Sequence, residues 1–180
     1  MDKNLVRTSK FISLCLRHKP EAANLTMDKE GWVNVNELIN ALQRKGHNIS
    51  ADILEKIVKE NNKKRFAYNE NKTKIRASQG HSIDIDLKLK EKEPPELLYH
   101  GTASQTVKLI KKNGLKKMNR QHVHLSPDKE TAVNVGKRHG YPVVLEIKAK
   151  KMHEDGCKFY LSKNRVWLTD YVDIKYISLL

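Results

Sequence analysis

The chain has 180 residues, with 35 Lys and Arg against 21 Asp and Glu, a formal charge of +14 and 2 cysteines. That length suffices for one domain or two small ones with a proper core. Apolar runs of only a few residues are too short to span a bilayer, and Met1 to Lys10 is too polar to contain a signal-peptide core, so no membrane is expected.

Residues 4–18 place Leu5, Ile12, Cys15 and Leu16 on one face at helical spacing, and Pro20 forbids much continuation. The helix delivers Arg17, His18 and Lys19 at its last turn, either for a ligand or simply to complement the helix dipole. Gly31 to Val35 reads as a short strand, and Asn36 can cap a helix that turns Leu38, Ile39, Ala41 and Leu42 inward before Gly46. Ser50 can cap a further helix through Ile53, Leu54, Ile57 and Val58. From Lys63 to Ser82 the chain carries Lys63, Lys64, Arg65, Lys72, Lys74 and Arg76 against Glu70 alone, and reads as a hairpin turning through Asn69 to Asn71. Helix, strand, helix, helix, hairpin is the order of a winged helix, a fold that meets nucleic acid in some proteins and only protein in others.

A charged stretch closing on Pro94-Pro95 separates a first part, residues 1–93, from a second, 94–180. The first holds 19 basic and 13 acidic residues (+6) and the second 16 and 8 (+8). Both halves should attract a polyanion, and without a basic amphipathic helix or lipidation signal, nucleic acid or a phosphorylated ligand is favoured over a membrane surface.

The second part opens with a strand, Leu97 to His100, then Gly101 and a helix that Thr102 or Ser104 can cap and Gly114 ends. A strand at Val123 to Ser126 precedes a helix from Pro127-Asp128 to about Lys137. Short strands follow at Val143 to Ile147, Phe159 to Leu161, Val166 to Leu168 and Ile174 to Leu179, joined by turns such as Asp155-Gly156. The whole is α+β, with a mainly β second half.

Several clusters invite chemistry. Gln79-Gly80-His81-Ser82 sets polar side chains around a glycine, which suits close backbone approach to a ligand. Tyr99-His100-Gly101-Thr102 puts a histidine at a strand end with a hydroxyl at a helix start, either a phosphate-binding end or a plain cap. Alternation sends His122, His124 and Ser126 to one strand face and Val123 and Leu125 to the other; that polar face meets a ligand, or water at a sheet edge. No GxGxxG or GxxxxGK[ST] occurs. The lone thiols Cys15 and Cys157, without a CxxC pair, favour a reducing, cytoplasmic setting, and no metal is expected. Arg17, Arg65, Arg76 and Arg120 lie in motifs almost free of carboxylates, so their guanidinium forks are solvated or shared with a phosphate.

Leu16-Arg17-His18-Lys19, Lys64-Arg65-Phe66, Ile75 to Ser82 (IRASQGHS), Tyr99-His100-Gly101-Thr102, Arg120 with HVHLS, and Val166-Trp167-Leu168 together resemble the NAD-dependent RNA 2′-phosphotransferases. The resemblance implies an N-terminal winged-helix lobe for RNA and a C-terminal lobe of ADP-ribosyltransferase type for NAD. It also implies a two-step reaction. The RNA 2′-phosphate attacks C1″ of the nicotinamide ribose, then O2″ attacks phosphorus, giving 2′-hydroxyl RNA, nicotinamide and ADP-ribose 1″,2″-cyclic phosphate. On the same resemblance Arg17, His18, Arg65 and Arg120 are catalytic, and His100, Gly101, Thr102, His124, Ser126 and Arg138 bind NAD as co-substrate. Lys19, Arg76, Gln79 and His81 are expected to contact RNA carrying a 2′-phosphate at a tRNA-like splice junction, with the protein a monomer. His18 suits proton transfer because imidazole titrates near neutral pH. The sequence departs from the family at Ser78, where Asn is usual, at Arg165, where Gly is usual, and at Asp173-Ile174, where two prolines are usual. Val166 stands where many ADP-ribosyltransferases keep a catalytic glutamate. The alternatives are an ADP-ribosyltransferase that caps terminal phosphates of RNA or DNA, and a non-catalytic winged-helix nucleic-acid-binding protein.

Overall fold

The computed structural model describes residues 3–60 and 64–180 and divides into two compact units, Met1–Lys88 and Leu89–Leu180. The division falls ahead of Pro94-Pro95 because Glu91 bridges to Tyr160 and the Lys92 N–H donates to the Phe159 carbonyl, which ties those residues to the second unit. Among the described residues no helix is long and apolar enough to cross a membrane.

In the first unit, α1 (Lys3–Arg17) buries Ile12, Cys15 and Leu16 along one side and ends as a 3-10 turn, Pro20–Ala23, takes over. Strand β1 (Val33–Asn34) is shorter than Gly31 to Val35, because Asp28 draws the Glu30 and Trp32 N–H groups into a turn. It leads straight into α2 (Val35–Arg44). The cap of α2 is Asn34 rather than Asn36: the Asn34 side chain accepts from the N–H groups of Asn36 and Glu37. Ser50 accepts from Ile53 N–H at the start of α3 (Ala51–Glu60). Leu38, Leu42, Leu54 and Ile57 from the two helices close the core against Ile12 and Leu16.

A hairpin of β2 (Phe66–Tyr68) and β3 (Lys74–Ala77) completes the unit, with β1 on the far side of β3 in the order β1-β3-β2. Its turn is held by Asn69, whose side-chain oxygen accepts from Lys74 N–H. Lys63, the first basic residue of the expected hairpin, lies outside the described residues, as does Met1.

The second unit pairs β4 (Leu98–Ala103) with β7 (Pro142–Ile147), and β7 with β11 (Ile177–Leu179). A second sheet sets β9 (Trp167–Thr169) between β6 (Val123–Leu125) and β8 (Tyr160–Leu161). Reciprocal backbone hydrogen bonds between Tyr99 and Ser126 join the two. Helix α4 (Ser104–Asn113) has no side-chain cap, and α5 (Lys129–Gly136) is capped by Asp128. Three elements were not anticipated: β5 (Leu115–Lys116), its partner β10 (Tyr171–Val172), and α6 (Ala149–Glu154), a six-residue helix that buries Ala149 and Met152. Of the expected final strand, Ile174–Tyr176 is instead a 3-10 turn, capped by Asp173 through the Lys175 N–H. Asp173 thus starts a turn where prolines are usual, and Arg165 takes φ 63°, a conformation that glycine adopts without strain.

Candidate active-site residues

In the first unit the end of α1 is anchored by one residue. The Ser82 N–H donates to the Arg17 carbonyl at 3.0 Å, and the Ser82 hydroxyl shares a 2.9 Å hydrogen bond with His18 Nδ1. Ser82 therefore fixes the chain at Arg17 and the ring at His18. In the sequence Ser82 is marked only by its place after Gly80-His81, a hydroxyl next to a polar glycine motif.

His81, which precedes Ser82 in the chain, is 1% exposed. Among the described residues neither of its ring nitrogens has a hydrogen-bond partner, and the same holds for Gln79 Oε1. Burial pushes the His81 pKa down to about 3, and the charges of Arg17, His18 and Arg76 push the same way, so the ring is neutral at pH 7.

Arg76 is engaged inside the unit. Its guanidinium lies 4.3 Å from the Trp32 ring centre and donates to the carbonyls of Glu30 and Leu87, which fixes the loop ahead of β1 more directly than it suits an RNA phosphate. Arg65 precedes β2, opposite Ser78. The Ser78 N–H donates to the Arg65 carbonyl at 2.8 Å and its hydroxyl to the Lys64 carbonyl at 2.9 Å, so the hydroxyl standing where Asn is usual positions the backbone from which Arg65 projects. Lys19 is exposed.

In the second unit His100, Gly101 and Thr102 all lie within β4, and neither Thr102 nor Ser104 caps α4, which begins at Ser104 after Ala103. Their β pairing with Leu145, Val144 and Val143 keeps the strand going. The space beside Gly101 is filled by α5: a Cβ there would run into the Ala132 carbonyl and the Gly136 nitrogen. On that side, the glycine makes room for a helix.

His100 and Thr102 share the opposite strand face by alternation. His100 Nδ1 lies 3.0 Å from the His124 carbonyl, which makes Nδ1 the protonated nitrogen. Burial holds the His100 pKa below its usual value; the His124 carbonyl opposes that shift, and the charges of Arg120 and His139 add to it. The Thr102 hydroxyl shares a hydrogen bond with Thr106. β4 thus meets β6 through the Tyr99–Ser126 backbone pair and the bond from His100 to the His124 carbonyl, with Val123 and Leu125 turned into the core as the alternation required. Arg120 and Arg138 are exposed on turns, with backbone N–H groups donating to Lys117 and Val135. Among the described residues no group of three or more His, Cys, Asp or Glu is arranged to hold a metal.

By fold and side chains the molecule falls in the class of two-unit α+β proteins whose polar sites are built from arginine, histidine and hydroxyl groups. Comparison with protein families narrows that class. Residues 3–171 match the model described as "RNA 2′-phosphotransferase, Tpt1 / KptA family". A Flavobacterium johnsoniae protein named "Probable RNA 2′-phosphotransferase" is 57% identical over 179 residues, 99% of this chain and 98% of its own length. Proteins of the same name from Fusobacterium nucleatum and Hahella chejuensis are 58% and 51% identical, over 97% and 100% of this chain and 98% and 97% of their own. The chain belongs to the RNA 2′-phosphotransferase family, a family of transferases.

Proposed function

We propose that this protein removes an internal 2′-phosphate from RNA with NAD as co-substrate, giving 2′-hydroxyl RNA, nicotinamide and ADP-ribose 1″,2″-cyclic phosphate. The observation that carries this reading is the family match across residues 3–171. Met1–Lys88 acts as a winged-helix lobe for RNA, a reading supported by its order of helix, strand, two helices and hairpin with β1 laid on β3. Leu89–Leu180 acts as the ADP-ribosyltransferase-like lobe for NAD.

Arg17, Arg65 and Arg120 offer planar guanidinium forks that match phosphoryl oxygens and stabilise charge that builds up during transfer. A phosphate is ionised at neutral pH, so its attack needs positioning more than a general base. His18, oriented by Ser82, moves the proton between the ribose hydroxyl and the departing RNA 2′-oxygen. Lys19, Gln79 and His81 belong to the RNA side.

NAD supplies an electrophilic C1″ with nicotinamide as its leaving group. The residues present fit such a ligand. A neutral His100 tethered at Nδ1 leaves its second ring nitrogen for a ribose hydroxyl, and exposed Arg138 suits a pyrophosphate. His100, Thr102, His124, Ser126 and Arg138 would hold it, with Gly101 setting the strand's distance from α5. The proposed setting is a cytoplasmic monomer acting on tRNA-like splice junctions.

The test is incubation with NAD and an oligoribonucleotide carrying one internal 2′-phosphate. Loss of that phosphate with release of the cyclic phosphate is expected, and Arg65→Ala or Arg120→Ala should lower the rate by about a hundredfold or more. Product RNA that retains ADP-ribose would instead identify a capping transferase, and no NAD turnover would leave only a binding protein.

A further inference from the structure

The first unit contains a second basic feature on the same helix as Arg17. Arg7, Lys10, Phe11 and Leu14 of α1, with Lys45 and His47 from the turn after α2, line an open cavity of about 430 Å³. The Phe11 and His47 rings stack at 4.9 Å and 22°, and Thr8 fixes the imidazole through a 3.0 Å hydrogen bond to Nδ1. Burial and the nearby Arg7 charge keep the His47 ring in its neutral form. The ion pairs among the described residues all lie elsewhere, so none of these three cations is paired with a carboxylate of the described residues. A cavity of that size suits a nucleotide-sized ligand.

Its place on the helix supplies the rest. Arg7, Phe11, Leu14 and His18 follow one another at spacings of four, three and four, with Lys10 three residues after Arg7, on the side away from buried Ile12 and Leu16. At 1.5 Å per residue, Arg7 stands about 15 Å along the axis from Arg17. A strand held at the His18 end would follow this stripe for a few nucleotides before reaching the cavity.

We propose that this cavity is a second RNA contact, which takes one nucleotide of the substrate strand away from the reacting phosphate, with the backbone phosphate on Arg7, Lys10 and Lys45 and the base against the Phe11–His47 pair. Stacking reads no sequence, so the contact would add affinity without base preference. It rests on the reading that the chain acts on RNA, and its test needs no reaction.

The probes are fluorescent single-stranded oligoribonucleotides of about 12 and about 3 nucleotides without a 2′-phosphate, titrated by anisotropy across a salt series. Lys10→Ala with Lys45→Ala, both exposed positions, should weaken binding of the longer probe about tenfold and reduce its log–log salt slope by about 0.7, which is one phosphate contact on a single strand. Phe11→Leu should weaken it about fivefold with the slope unchanged. Neither change should affect binding of a third probe, an oligoribonucleotide of the short probe's length that carries a 2′-phosphate and is held by it at the C-terminal end of α1. Wild-type affinity and slope in the lysine variant would overturn the proposal while leaving the RNA reading intact. A wild-type protein that binds none of the three probes would overturn both.

Discussion

Two histidine–glycine motifs, one in each unit, look alike as sequence and do different work in the fold. In Gly80-His81 the glycine takes φ 86°, a left-handed turn, and the histidine is buried with no hydrogen-bond partner on its ring among the described residues. In His100-Gly101 the glycine sits in a strand against α5, and the histidine is tied to a backbone carbonyl. One glycine turns the chain and the other makes room for a helix. A histidine that lacks internal partners is poised for a ligand, while one tethered at Nδ1 offers only its second nitrogen.

The largest effect that would break or sharpen this contrast is expected at the glycines. Gly101→Ala should destabilise the second unit by roughly 3 kcal/mol, since backbone of α5 must move to admit a methyl group. Gly80→Ala should cost about 1 kcal/mol through the strain of a left-handed turn. Denaturant midpoints of the two variants measure the difference, and equal losses would erase the distinction.

The histidines come next. His81 is held neutral down to about pH 3, whereas an unfolded histidine protonates near its ordinary value of 6.5. Between those limits the unfolded state binds the extra proton, so stability is complete above that ordinary value and falls as pH drops, by up to about 1.4 kcal/mol per pH unit. His81→Gln should flatten that slope by close to one proton in denaturant titrations at pH 4 to 7. His100→Gln acts in the same direction, and it should also weaken NAD binding, which separates it from His81.

Smaller effects test the positioning residues. Ser78→Ala removes the hydroxyl's bond to the Lys64 carbonyl and should cost about 1 kcal/mol, with turnover lowered through Arg65 and KM for NAD unchanged. Arg165→Gly relieves a left-handed backbone and should be neutral or stabilising by under about 1 kcal/mol.

Much of the molecule was legible from the chain alone. Helical spacing identified α1, α2 and α3 with most of their buried apolar residues, while Leu5, Ile53 and Val58 are only partly buried, because each helix turns one apolar stripe inward. Period-two alternation correctly sorted His122, His124 and Ser126 from Val123 and Leu125. Misplacements arose where neighbours overrode local preference. Asn34 captured the cap expected of Asn36, β7 drew Gly101 and Thr102 into a strand, and a short helix formed at Ala149–Glu154 because Ala149 and Met152 had a core to fill.

The sequence by itself determined the residue types and the order in which they occur: cations without nearby acids, histidines beside glycines, and helices with one apolar face each. Periodicity and charge are local properties, and the chain carries them whether folded or not. Only the tertiary structure decided what each polar group meets: Ser82 at His18, Trp32 at Arg76, the His124 carbonyl at His100, Phe11 at His47. Those partners are separated by 24 to 64 positions along the chain, so the pairing is set by how the cores close, which no local pattern encodes.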